Sequence, residues 1–480
     1  MAKVLFIQPH KTVLTSDLSG RLGVVLAERT DRFARAVPSL PAMCVLGALE
    51  ERHEANFIDA TADDPKNIFP YNKDVHLIGL SDEQLCDIVR DSRPDLVALT
   101  SMFTAEYFSV NRVLRLIKDN FDLPVVVGGH QATLRPDWHL EEGADFVVLG
   151  EGEQKINELV GVVGQKDYSL VEGIVSKKDK TLARVSLRGS GGLDKEWAIE
   201  TVVKRKDGSY RYPLSVVTRN PKLYMPRGVS SGEGAGVLYA SRGCPYGCGY
   251  CNATDRDGKK IRHMSLEKMV DLTKEFMSLG AVVFHNESDT FGIHPIDREY
   301  LEWVAQQRRS GERVGIVNTN SFFAKYFFPR GKFSPRRVDL LRGAGIQTAT
   351  VSIESFNPKF NNRKLEGITP EMFADCFDYM DSQGMGIDVY MMYLFPWQTP
   401  EEFIGDIKLI EGLRDKVTTT TWRSLMYFPG TRYYDWATRF GKFREEGYKR
   451  ELEKGYSFYH VDKRFNFSEV RNPPSPDELP

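Results

Sequence analysis

Three of the chain's six cysteines, Cys244, Cys248 and Cys251, fall within eight residues in the run GVLYASRGCPYGCGYC. Thiolates at C-x3-C-x2-C spacing, on a loop after an apolar strand, can ligate three irons of a four-iron cluster. The fourth iron then lacks a protein ligand and is open to substrate. Gly243, Gly247 and Gly249 let the loop curl and bring its amides toward the cluster sulfides. The competing reading is structural zinc. Zinc wants a fourth Cys or His, usually from a second C-x2-C half, and His263 is the only candidate nearby. Cys44, Cys86 and Cys376 sit in amphipathic helical patterns and read as small apolar side chains.

Such a loop must be held at the end of a strand. From Gly236 onward, candidate strands are Val237–Ser241, Ala281–His285, Arg313–Thr319, Ala349–Ile353, Asp388–Leu394 and Thr421–Met426. They alternate with helical patterns at Leu266–Leu279, Pro295–Arg309, Pro335–Gly345, Pro370–Gln383 and Pro400–Arg414. This fits a partial (β/α)6 TIM-type barrel, whose chemistry sits at the carboxyl ends of its strands. Residues 1–160 alternate in the same way. Val4–Gln8, Ala55–Ile58, Leu96–Thr100, Val125–Val127 and Phe146–Leu149 read as parallel strands covered on both faces. Helices are expected at Ala42–Arg52, Asp82–Asp91, Tyr107–Phe121, Pro136–Glu142 and Gln154–Val163. The result is a doubly wound, Rossmann-like sheet with its ligand crevice at the strands' carboxyl ends. Those ends carry His10, Ser101-Met102, Gly128-Gly129-His130 and Gly150-Glu151-Gly152.

The fold class is therefore α/β. The expected division is a Rossmann-like domain at 1–164, a linker and small β subdomain at 165–235, the barrel at 236–435, and an extension and tail at 436–480. The tail, ending RNPPSPDELP, reads as disordered. With 64 basic against 66 acidic residues and no basic block, electrostatic capture of nucleic acid is not favoured. No signal peptide and no run of roughly 20 apolar residues is visible, so a cytoplasmic enzyme with no membrane partner is the expectation.

Cys-x3-Cys-x2-Cys with the aromatic Tyr250 before the third cysteine resembles the signature of the radical S-adenosylmethionine (SAM) superfamily. The resemblance continues through NESDTF (286–291), TVSIES (350–355), LFPWQTPEEF (394–403) and YFPGTRYYDWA (427–437). It implies one 4Fe-4S cluster on the three cysteines. It also implies SAM contacts from Tyr250, Glu287, Ser288, Asp289, Glu354 and Ser355, and an external electron donor such as flavodoxin or ferredoxin. Upstream, LPAMCVLGALEERHEANFIDA and VVVGGHQATLRP look like the cobalamin-binding domain of the B12-dependent subfamily. That likeness implies cobalamin contacts from His10, Ser101, Met102, Gly128, Gly129, His130, Gly150, Glu151 and Gly152. By the resemblance, the chain is a cobalamin-dependent methyltransferase. A radical made by reductive SAM cleavage activates a carbon of a small molecule or carrier-linked intermediate, less readily a phosphorus, and methylcobalamin supplies the methyl group. Cyclisation or ring rearrangement with the same cofactors is one alternative. A non-catalytic cobalamin-binding module with a structural metal loop is another.

Several signals are set aside. Asp74–Gly79 matches D-x-H-x-x-G, whose histidine ligates cobalt, but lies after the second strand rather than the first. Cobalamin is therefore expected base-off without a histidine ligand. Gly232–Gly236 precedes a strand instead of opening a helix, so it is no nucleotide loop. His285 reads as structural. Phe395 and Trp397 read as core or pocket wall. Cys44 and Cys86 are too few for a second cluster of the tRNA-modifying kind.

Overall fold

The computed structural model describes residues 1–14, 38–50, 52–153, 155–163, 171, 173–176, 203–204, 210–211, 224, 233–318, 320–361, 364–395, 397–440 and 445–454. The described residues fall into two compact units, one N-terminal and one running from Ala235 to the helix Arg432–Phe440. Most of the expected β subdomain, and the tail beyond 454, lie outside the described residues.

In the first unit the strands run β1 (Lys3–Gln8), β2 (Lys11–Leu14), β3 (Glu54–Asp59), β4 (Ile68–Pro70) and β5 (Val75–Ile78). They continue with β6 (Leu96–Thr100), β7 (Val125–Gly128), β8 (Phe146–Val148), β9 (Ile174–Ser176) and the short antiparallel pair β10 (Val203–Lys204) and β11 (Tyr210–Arg211). The main sheet has the order β3-β1-β6-β7-β8-β9, parallel except for the antiparallel edge strand β9. Its central strands β6, β7 and β8 are almost wholly apolar and buried, as expected where helices cover both faces. All five residues of β6 are buried, and the helix Tyr107–Asn120 lays Val110, Val113, Leu114 and Ile117 into the same core as Val97, Leu99, Val125 and Val127. The helix Asp82–Ser92 starts where a Ser81–Gln84 capping box satisfies its first amides.

β2, β4 and β5 make a separate antiparallel sheet. His76, the histidine of the D-x-H-x-x-G run, lies inside β5 between Val13 and Pro70 rather than on a strand-end loop. The helix Glu445–Glu453 completes this first unit from the far end of the chain. Tyr448 and Leu452 are buried, the Tyr448 ring lies 6.5 Å from that of Trp138, Lys449 pairs with Glu141 and Arg135 with Glu445.

The second unit contains β12 (Gly234–Leu238), β13 (Ser241–Arg242), β14 (Arg262–His263), β15 (Ala281–Asn286) and β16 (Gly315–Asn318). β17 (Phe322–Phe323), β18 (Thr348–Glu354), β19 (Gly386–Tyr393) and β20 (Thr419–Ser424) follow. Two sheets, β12-β15-β16 and β17-β18-β19-β20, supply the partial barrel, and their recorded pairings are parallel. In β19, Ile387, Val389 and Met391 are buried while Asp388, Tyr390 and Met392 on the other face are only partly so. The helices begin where the sequence signals them. Ser265, Thr369 and Thr399 cap their helices through the side chain, and Pro295, Pro335, Pro370 and Pro400 sit in first turns. The first barrel strand starts three residues earlier than its apolar run suggests, because Gly236 slides beneath Phe284: a Cβ there would lie 2.8 Å from the ring. Ser241-Arg242 instead pair antiparallel with Arg262-His263. No helix among the described residues is long and apolar enough to cross a membrane.

His139 is fully buried in the first unit, its Nδ1 donating to Asn111 Oδ1 at 2.8 Å, and burial lowers its pKa from 6.5 to about 3. The unfolded chain therefore binds a proton below pH 6.5 that the folded chain refuses until about 3. Stability contributed by the neutral ring is complete above this window and is lost as pH falls through it, by up to about 1.4 kcal/mol per pH unit. Denaturant unfolding of wild type and His139→Gln from pH 7 to pH 4 should show a shallower acid loss in the variant. Equal slopes would remove His139 from the account.

Candidate functional site

Cys244 and Cys248 are buried and Cys251 is partly so, all on the segment between β13 and the short helix Ala253–Asp257. The segment is pinned by its backbone. Cys244 N donates to Gly258 O at 3.0 Å, and Cys251 N to Cys248 O at 3.0 Å. The helix Arg432–Phe440 clamps it from the C-terminal side, through Tyr433 N to Gly249 O (3.0 Å) and Arg432 Nη2 to Gly247 O (2.9 Å). Position 249 has to be glycine: a Cβ there would lie 2.3 Å from the Tyr433 ring. The Pro-Gly-Thr segment that the sequence singles out thus acts on the cysteine loop itself.

Tyr250 is the centre of the site. Its hydroxyl donates to Glu354 Oε2 at 2.9 Å, and Lys364 Nζ donates to both Tyr250 Oη (2.9 Å) and Glu354 Oε1 (3.1 Å). Glu354 and Lys364 are 8% and 6% exposed, so this is a buried ion pair. Glu354 ends β18 with φ +67°, a left-handed conformation costly for a residue with a Cβ, and the β18–β19 register shifts at Ser352/Glu354. That turn aims the carboxylate at the cysteine loop. Phe395 and Tyr433 pack 6.2 and 6.3 Å from the Tyr250 ring, and Trp397 lies 5.1 Å from Tyr433. Phe395 and Trp397 therefore belong to an aromatic collar that holds Tyr250.

The other expected SAM contacts occupy the β15 end and the loop after β18. Glu287 lies 2.7 Å from His285 Nδ1. Ser288 is fully buried, its hydroxyl accepting from Ala240 N at 2.9 Å. Asp289 pairs with Arg256, while its Oδ2 is buried without a partner. Ser355 donates to Asp406 Oδ2 at 2.6 Å, and Asp406 also accepts from Phe356 N. Tyr250 and Glu354 are thus brought together, whereas Ser288 and Ser355 are engaged in shaping their own loops. Lys364 and Asp406 escape sequence reading because neither carries periodicity or motif spacing.

Three thiolates need a compensating cation here. Burial pushes the Cys244 thiol up and the Cys251 thiol up to about 11. A bound iron–sulfur cluster would supply that charge. Zinc's remaining candidate ligand is already committed, since His263 Nδ1 lies 2.6 Å from Met264 O and Nε2 2.8 Å from Asp297. Among the described residues, no three His, Cys, Asp or Glu converge to hold a single metal ion. A cluster takes its thiolates on separate irons and asks for no such convergence. The donor set fits a cluster.

In the first unit, every expected cobalamin contact lies at one edge of the parallel sheet. His10 follows β1, its Nε2 donating to Leu80 O at 2.7 Å. Ser101 and Met102 follow β6, Gly128–His130 close β7, and Gly150–Gly152 follow β8. The strand order reverses between β1 and β6, the switch point where such sheets bind ligands. Gly129, with φ +101°, leads into the helix His130–Leu134, and a Cβ there would lie 2.7 Å from Ser101 O. Thr100 Oγ1, Ser101 Oγ and Gln131 Nε2 are buried without hydrogen-bond partners at this edge. Unsatisfied buried hydroxyls and an amide are suited to a polar ligand such as a corrin side chain or nucleotide tail. The crevice fits cobalamin, and Gln131 and Thr100 join the residues that would hold it.

Two outcomes are expected. Anaerobic reconstitution of Cys248→Ala should leave far less than four irons per chain and abolish the cluster's visible absorbance, against full loading in wild type. Gly129→Ala forces strain of about 1–3 kcal/mol at φ +101°. Its unfolding midpoint and its cobalamin retention on gel filtration should both fall.

Comparison with known proteins accords with both halves. The B12 binding domain family matches residues 30–160 and the Radical SAM superfamily matches residues 238–410. An uncharacterized methyltransferase of Pyrococcus horikoshii is 24% identical over 416 residues, 83% of this chain and 78% of its own length. The cobalamin-dependent radical SAM methyltransferase TokK of Streptomyces tokunonensis is 25% identical over 252 residues, covering 50% of this chain and 33% of TokK. The structure of the radical SAM methyltransferase TsrM from Kitasatospora setae, with cobalamin and a [4Fe-4S] cluster bound, superposes with TM-score 0.62 at 17% identity, over 92% of this chain and 76% of that one. With a B12 binding domain matched ahead of a Radical SAM domain that takes in the cysteine loop, the chain has the two-domain make-up of the cobalamin-dependent radical SAM enzymes.

Proposed function

We propose that the chain is a methyltransferase that moves a methyl group from SAM, by way of methylcobalamin, to an unactivated carbon of a small-molecule or carrier-linked intermediate. The observation that carries this reading is the presence in one chain of two fitted sites, the thiol triad around Tyr250–Glu354–Lys364 and the crevice with Thr100, Ser101 and Gln131 unsatisfied. The methyltransferase names of the relatives support it. When bound, the cluster and SAM supply a carbon-centred oxidising radical and cobalamin supplies the transferable methyl group.

The chain's own residues bind and orient. Glu354, held by Tyr250 and Lys364, fixes a carboxylate next to the cysteine segment, where it would suit an ammonium group such as that of SAM. Glu287 and Asp289 add negative charge at the β15 end, and Ser288 and Ser355 set the curvature of the two loops. In the crevice His10, Ser101, Met102, Gly128, Gly129, His130, Gly150, Glu151 and Gly152 would hold the cobalamin. His76 is paired inside β5, so the D-x-H-x-x-G histidine would not hold cobalamin, and we take the cofactor to be base-off. Cysteines outside any disulfide and a reducible cluster suit the reducing cytoplasm, with flavodoxin or ferredoxin as electron donor.

Anaerobically reconstituted protein, given cobalamin, a chemical reductant and methyl-labelled SAM, tests this without knowledge of the substrate. Label is expected in the corrinoid and 5′-deoxyadenosine in solution. SAM cleavage with no label on the corrinoid would point to ring rearrangement instead. Cobalamin binding with no SAM cleavage would leave only a binding module.

A further inference from the structure

We propose that Lys364 is a positioning residue that sets the reduction potential of the cluster, its buried cation making the cluster easier to reduce. The inference rests on the cluster reading of Cys244, Cys248 and Cys251.

The argument is one of place and charge. Lys364 lies in the loop after the short helix Pro358–Asn361, and its ammonium enters the space beside the cysteine segment. It touches Tyr250, the neighbour of Cys251, at 2.9 Å, and lies 5.5 Å from that ring's centroid. On its other side the Phe323 ring is 5.6 Å away, and Phe323 stacks at 4.9 Å on Tyr246, which stands between Cys244 and Cys248. The cation is therefore walled in by the two aromatic residues of the cysteine loop, one directly and one through Phe323. Burial works against its charge, yet Glu354 and the thiols of Cys248 and Cys251 more than offset that and hold the ammonium above its ordinary pKa.

Reduction places one electron, delivered by an external low-potential donor, on a cluster whose ligands are already anionic. A fixed cation close by, with little water to screen it, stabilises that added charge. Glu354 opposes the effect. Because it is hydrogen-bonded to Lys364 and Tyr250, it also keeps the ammonium in one position. Removing the lysine alone therefore takes away a positive charge and exposes a negative one. Both changes make the cluster harder to reduce.

The test is a potentiometric titration of reconstituted enzyme without SAM, read by the EPR signal of the reduced cluster. In Lys364→Met the ratio of reduced to oxidised cluster at a fixed solution potential should fall at least tenfold, a 59 mV shift for a one-electron couple. Lys364→Arg should stay near wild type, and Lys364→Met with Glu354→Gln should recover most of the loss. Glu354→Gln alone should shift the potential the opposite way, which keeps the test alive if the lysine variant carries no cluster. An unshifted potential in a cluster-loaded Lys364→Met, including one that has merely lost SAM cleavage, overturns the proposal. So does a Glu354→Gln that titrates at or below the wild-type potential. Wild-type protein that assembles no four-iron cluster would instead overturn the cluster reading itself.

Discussion

The ion pair between Glu354 and Lys364 is the interaction on which the second unit's chemistry depends. It joins the last residue of β18 to the loop beyond it, and through Tyr250 it reaches the cysteine segment. Breaking such a pair from one side commonly costs about 3–5 kcal/mol, because a charge is left buried and uncompensated. Evolution has accepted a second cost for it as well. Among the described residues, Glu354 is one of three with side chains, together with Ser321 and Leu394, that take left-handed backbone near the carboxyl ends of barrel strands. Strain of that kind persists only where the surrounding structure over-determines it, and here it collects at the rim where loops leave the strands.

Both units obey one constraint. Parallel strands buried on two faces have no side chain to spare for chemistry along their length, so reactive and binding groups collect at the strand ends. In the first unit this yields a line of small and polar residues, where Gly129 brings backbone within contact of Ser101 and leaves hydroxyls unsatisfied. In the second it yields a loop curled tightly enough for Tyr433 to lie flat against Gly249. One edge is built to receive a large polar ligand and the other to hold three thiols.

How much of this could be read beforehand follows from the range of each interaction. Leu96–Thr100 and Pro295–Arg309 appear at their expected bounds because continuous apolar burial and a proline-led first turn are local signals. The cysteine triad is local too. Lys364 is not: ten residues and a short helix separate it from Glu354, and only the fold brings them into contact. Gly236 misled for the same reason, since the ring that lies over it belongs to Phe284, a strand away. The role of the Pro-Gly-Thr segment was likewise invisible, because its partners Gly247 and Gly249 stand nearly two hundred residues upstream.

The helix Glu445–Glu453 carries a consequence for how the protein is made. It buries Tyr448 and Leu452 in the first unit, although every described barrel strand is synthesised before it. A ribosome therefore finishes the barrel while the corrin-binding unit still lacks a wall beside Trp138. Vectorial folding, in which each unit closes as it emerges, is unavailable to this chain. Its first unit is closed by a helix made after all the described barrel strands.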